Sequence, residues 1–274
     1  MLKIPITVCH GTTSKWAEYP LMPEHLGKMF ALARELGFES IKYDQLEALM
    51  DGAEPGTGDI PAQPVMFDFD HADKTMLTEI QPLLAEYGYR GTLFFHTGLM
   101  DDSRLASKVM SWDEIAQLIE FGWGIGGHTV SHPNLSRLSY TDPDGDQIEQ
   151  ELRIADAAME RHIGEKPKDF AYTGATWSSI AEQKVKARYR FGRLWIADNY
   201  FLADGQRTAV AELMGVGGVG EDDGGPPKAA RYITVDKSTR QSHRYRLPAM
   251  EICGCLMNEL DQYRNYLLGA LAAS

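Results

Sequence analysis

Cysteine is scarce in this sequence, and what there is does not pair. The three cysteines are Cys9, Cys253 and Cys255. Three is an odd number, and one residue between the last two is too short for the usual C-x₂-C zinc spacing, which excludes a disulfide framework and a four-cysteine metal site. Basic residues are also in deficit, 27 Lys and Arg against 39 Asp and Glu, for a net charge of −12 and a pI near 5.1. That balance sets aside nucleic acid or an anionic membrane as the main partner. There is no apolar span of membrane length. Residues 1–5 run straight into the strand-like Ile6-Thr7-Val8-Cys9-His10, without the charged and then apolar regions of a secretory leader. A cytoplasmic location is therefore expected. No internal repeat is visible. The glycine-rich tract 215–227 lacks the G-x-x-x-x-G-K-[ST] pattern and carries Glu221, Asp222 and Asp223, which would repel phosphate, so it reads as a surface loop.

What remains is a chain with a substantial core. Hydrophobic residues are 43% of its 274 positions, and this length suits one α/β barrel. The reading is of a single domain over 1–274, with a core at about 4–200 and a C-terminal extension over 201–274. Strand-like runs fall at 6–9, 65–67, 92–95, 123–127, 170–172 and 194–196. Helical spacing falls at 23–36, 75–87, 146–163, 179–189 and 257–271. Ser111 with Glu114 three residues later reads as a capping box opening another helix, which runs to Phe121. Residues 54–64, rich in Gly and Pro, read as a loop. This alternation predicts a parallel sheet.

Two segments about sixty residues apart carry the chemistry. One is Phe67-Asp68-Phe69-Asp70-His71, the other Gly127-His128-Thr129-Val130-Ser131-His132-Pro133. Carboxylates two apart on a strand point to one face. Histidines four apart, entering a helical turn or tight loop, can converge on one ion. Asp70, His128 and His132 together would hold a tetrahedral Zn²⁺ with one position open to water, and Co²⁺ or Ni²⁺ would suit the same donors. His10, Asp68, Asp70, His96 and His128 all stand where a strand meets its following loop, where α/β barrels gather catalytic groups. His71 follows Asp70 directly and could add a further ligand, although strand alternation would turn it to the opposite side. Tyr172 and Trp177 are candidates for stacking on sugar rings, or for the core.

From about residue 4 to 196, the order of elements and motifs resembles the polysaccharide deacetylases, the NodB-homology metal-dependent N-deacetylases of carbohydrate esterase family four. Val65-Met66-Phe67-Asp68-Phe69-Asp70-His71 stands in place of their T-F-D-D-G. His128-Thr129-Val130-Ser131-His132 matches H-[ST]-x-x-H fully, and Phe170-Ala171-Tyr172-Thr173-Gly174 is similar to their third motif. The resemblance implies a distorted (β/α)₇ barrel and metal-dependent removal of N-acetyl groups from an amino sugar or glycan. It implies Asp68 as general base, an oxyanion donor in the Tyr172–Thr173–Gly174 loop, and a histidine acid. His10 and His243 are the candidates for that acid, with His96 behind them. Departures keep other readings open. D-x-D replaces D-D, so one alignment puts Phe69 at the ligand position and the other puts Asp70 there. Ala171 replaces the arginine that often orients the base, and the late L-x-H motif is not recognisable. An amidase acting on a cyclic imide or small N-acyl metabolite, or an inactive glycan-binding barrel, are the alternatives.

Overall fold

The computed structural model describes residues 1–12, 21–100, 102–196, 232–235, 244–252 and 260–272. The strands are β1 (Leu2–Ile4), β2 (Ile6–Cys9), β3 (Glu39–Ser40), β4 (Pro64–Asp70), β5 (Thr92–Phe95), β6 (Gly124–Gly127), β7 (Asp169–Ala171), β8 (Phe191–Ile196), β9 (Ile233–Val235) and β10 (Leu247–Glu251). The helices are α1 (Pro23–Glu35), α2 (Tyr43–Asp51), α3 (Gln81–Glu86), α4 (Trp112–Glu120), α5 (Leu135–Thr141), α6 (Asp146–Ile163), α7 (Ser179–Lys186) and α8 (Leu260–Leu271).

Seven strands pair in parallel in the order β2-β4-β5-β6-β7-β8-β10, and β10 returns to β2, so the sheet closes into the expected (β/α)₇ barrel. Closure removes the sheet edges that would otherwise invite pairing with another chain. A short antiparallel pair, β1 with β9, lies outside the barrel. The strand β4 is buried along its whole length, as a parallel strand covered on both faces must be, and this explains its nearly unbroken apolar run.

Local chemistry sets the helices. The Ser111 hydroxyl accepts the Glu114 amide while the Glu114 carboxylate accepts the Ser111 amide, so α4 starts at the expected capping box. The helix expected over 75–87 opens instead as a π-turn over Met76–Ile80, closed by the Gln81 amide on the Met76 carbonyl. Pro82, which has no N–H to give, sits in the first turn of α3, where that donor is not needed. In α8 the buried stripe is Tyr263, Tyr266 and Leu267, and the Tyr266 hydroxyl donates to the Ile6 carbonyl and accepts the Ile6 amide.

Three elements correct the sequence reading. Helices α2 and α5 were not expected. Strand β10 lies inside the stretch taken as a C-terminal extension, yet it stands between β2 and β8 and completes the barrel. The tract 215–227, His243, Cys253 and Cys255 lie outside the described residues. Cys9 is a buried free thiol, pushed up to about 12 chiefly by burial. Among the described residues, no helix is long and apolar enough to cross a membrane.

Strand β6 reads Gly-Ile-Gly-Gly because its neighbours need the room. A Cβ on Gly126 would overlap the Phe94 ring of β5. Phe94 in turn lies 5.0 Å beneath the Arg193 guanidinium inside the barrel. Gly126→Ala is therefore expected to destabilise the protein by about 1–3 kcal/mol through overpacking, read as a lowered urea midpoint with an unchanged denaturant slope.

Candidate active site

Five of the eight histidines, His10, His71, His96, His128 and His132, come together at the carboxyl end of the barrel. They arrive on four strand ends, those of β2, β4, β5 and β6. His71 is the hub, its ring centroid lying 5.0–5.6 Å from those of His10, His96, His128 and His132.

The backbone is bent to achieve this. His71, Thr129 and His132 have φ near +60° to +70°, and among the described residues they are the only non-glycine residues with positive φ. Left-handed backbone costs an L-residue about 1–2 kcal/mol, so the surroundings must hold it. The Glu151 carboxylate of α6 accepts the Val130 and Ser131 amides, each at 2.9 Å, and the Ser131 hydroxyl at 2.7 Å. The Thr129 hydroxyl accepts the His132 amide, and the Thr173 hydroxyl donates to the Pro133 carbonyl. Amides of Thr97 and Gly98 bond the Thr129 and Val130 carbonyls, tying the β5 and β6 loops together.

One ligand atom from each of His71, His128 and His132 lies within 4.8 Å of the others. His128 Nδ1 is 2.8 Å from the Ala171 carbonyl, which can only accept, so Nδ1 carries the proton and Nε2 keeps its lone pair. Burial is the first cause holding His71 and His128 well below the usual imidazole range and His96 down to about 4, and it lowers His132 too. Neutral imidazoles are the form that binds metal. Such a donor set fits a borderline transition ion such as Zn²⁺, Co²⁺ or Ni²⁺.

Beside the histidines runs a charged chain inside the barrel. Arg193 of β8 is fully buried; its Nη2 donates to Asp70 Oδ1, and its Nε lies 3.2 Å from Asp68 Oδ2. The Tyr43 hydroxyl of α2 donates to Asp68 Oδ2 at 2.7 Å. Burial, opposed by Arg193 and Tyr43, pushes the Asp68 carboxyl up to about 7. Asp70 Oδ2 is 3.8 Å from His10 Nε2, and His10 Nδ1 is 3.3 Å from Glu251 Oε1 at the end of β10. His10 is raised although burial opposes it, because Glu251 and then Asp70 favour the imidazolium.

Asp68 and Asp70 share a face, as period two requires, but Asp70 faces Arg193 and His10 while Asp68 pairs with Arg193 and Tyr43. The convergent trio contains His71 where Asp70 was expected, because the left-handed turn at His71 ends the strand alternation. Tyr172 is buried and packed edge-on to Phe170, with Gly192 beneath it, so it is a core residue and not a sugar platform. Trp177 donates its Nε1–H to Glu182 and has the Arg246 guanidinium 4.7 Å over its ring. Thr173 and Gly174 form a short turn beside the histidine loop, with Gly174 at φ 56°. Sequence reasoning missed Arg193, Tyr43, Glu251 and Glu151. Arg193 is the register partner of Ala171, so a guanidinium stands one strand over from the position where the arginine is missing.

Residues 57–191 match the family model described as polysaccharide deacetylase. No curated protein matches the chain in sequence. Among solved structures, the deacetylase PplD of Streptococcus pyogenes, in complex with acetate, superposes with a TM-score of 0.68 at 15% identity, over 99% of each chain. A polysaccharide deacetylase from Bacillus cereus gives 0.67 at 14% identity, over 97% of this chain and 69% of its own. A de-N-acetylase from Aggregatibacter actinomycetemcomitans gives 0.60 at 14% identity, over 70% of this chain and 88% of its own. At these identities the likeness is one of fold.

If Glu151 holds the loop of His128 and His132, Glu151→Ala leaves two amides without their acceptor. Faster hydrogen exchange at Val130 and Ser131 is expected, with a stability loss of about 1–3 kcal/mol. Unchanged exchange at both amides would show that the loop holds its shape without Glu151.

Proposed function

The chain belongs to the polysaccharide deacetylase family, and from that premise we propose that it hydrolyses the N-acetyl amide of an amino sugar in a glycan at a divalent-metal centre on His71, His128 and His132. Enzymes of this family are hydrolases of the carbon–nitrogen bond in N-acetyl groups. The convergence of His71, His128 and His132 next to the Asp70 carboxylate carries the reading. A cation held there would polarise a carbonyl and acidify water.

The protein's own groups then divide the proton work. Arg193 orients Asp70 through Oδ1, leaving Oδ2 toward the histidines as the base that takes the proton of the attacking water. Glu251 holds His10 Nδ1, so the Nε2 proton can pass to the departing amine, a poor leaving group until protonated. The Tyr172 amide already bonds the Arg193 carbonyl, so an oxyanion donor in this loop falls to Thr173 or Gly174. Asp68, one step deeper in the barrel, supports Arg193. An inactive glycan-binding barrel was suggested by a missing arginine and a missing acid. Arg193 and the His10–Glu251 pair argue against it.

Metal analysis with an acetate-release assay on chitooligosaccharides tests the reading. His128→Ala and His132→Ala are expected to lose most bound metal and all turnover. Asp70→Asn should keep metal while turnover falls by roughly 10²–10⁴, and Asp68→Asn should keep metal with turnover closer to wild type. Loss of metal in Asp70→Asn would return Asp70 to the ligand set. Metal binding with ring opening of cyclic imides and no acetate release would mark an amidase of small metabolites instead.

A further inference from the structure

His71 differs from the other two convergent histidines in what holds it. His128 gives its Nδ1 proton to a backbone carbonyl, a partner with one possible role. The Nδ1 atom of His71 lies 3.1 Å from the Nδ1 atom of another imidazole, His96 at the end of β5. Two nitrogens at that distance share one proton, one donating and the other accepting. Were His96 the donor, neutral His71 would carry its own proton on Nε2 and would have no lone pair left for a ligand bond. With His71 as donor, Nε2 is bare. Only the second arrangement is compatible with ligation through His71. His96 is not among the three residues whose ligand atoms converge, although its ring lies 5.4 Å from that of His132.

We propose that His96 is a positioning residue for the metal centre, its Nδ1 accepting the Nδ1 proton of His71 and so fixing His71 as an Nε2 ligand. The inference rests on the His71–His128–His132 reading above. It gives the centre an uncharged first set of donors, with an imidazole in the outer position usually held by a carboxylate or carbonyl. Because an imidazole can donate as readily as accept, the pair has two proton arrangements without metal, and ion binding selects one.

The test is zinc affinity by competition with a chromophoric chelator, on the full chain. His96→Ala is expected to weaken Zn²⁺ binding about 10–100-fold, the usual effect of losing such a partner. His96→Asn, whose Oδ1 can accept in place of Nδ1, should recover most of that loss, which a merely space-filling role would not explain. Since a variant can fail to fold, ¹⁵N-resolved NMR of the zinc-loaded wild-type protein provides a second measurement. The expected pattern is a protonated Nδ1 on His71, a ligated Nε2 on His71, and no ligated nitrogen on His96. Wild-type affinity in His96→Ala overturns the proposal, as does a zinc-bound nitrogen on His96. If the wild-type protein binds no zinc, or if His128→Ala binds it unchanged, the metal-site reading itself fails and this inference goes with it.

Discussion

A guanidinium buried in the barrel between two carboxylates is the constraint on which the rest of the site depends. Arg193 has no exposed surface and touches both Asp68 and Asp70. Removing the guanidinium would leave two carboxylates buried without their cation, at a cost of roughly 3–5 kcal/mol. Both carboxylates therefore depend on Arg193 for their place in the barrel. Tyr43 from outside the sheet and the Phe94 face within it complete the cage around them. Asp70 is consequently fixed through Oδ1, with Oδ2 turned toward His10.

Around that fixed pair the strands deliver the remaining groups by position alone. His10, His71, His96 and His128 stand at or just past the ends of parallel strands whose registers are locked to one another. A parallel barrel places such positions in a ring at one end. The histidine loop after β6 is held by Glu151 from outside, which keeps two residues in left-handed backbone. The α6 helix thus does local work on the loop that its packing face alone does not reveal.

Much of this was legible in the sequence. The apolar runs that end in Asp68, His96 and His128 mark strand ends, and Ser111 with Glu114 marks a helix start. What stayed hidden was hidden for physical reasons. Alternation predicts an outward His71 only while the strand continues, and it stops at Asp70. Arg193 sits in a run that reads simply as a buried strand. Its role depends on register with Ala171, which no single segment encodes. Strand β10 contains Pro248, a residue that argues against a central strand, and it follows three charged or aromatic residues, so it read as part of an extension. An aromatic at a strand end suits either groove or core, and burial places Tyr172 in the core.

The position of β10 in the chain has a consequence for the order in which the molecule can come into being. This strand separates β8 from β2, and its last residue is the carboxylate that meets His10. During synthesis it emerges after β2, β4, β5, β6, β7 and β8. Until then β2 and β8 face an unfilled gap, the ring cannot close, and His10 has no Glu251. Closure joins β2 to β10, a contact of high sequence separation that forms slowly. Barrel closure and the meeting of His10 with Glu251 are thus a single event, and a nascent chain halted before β10 would have neither.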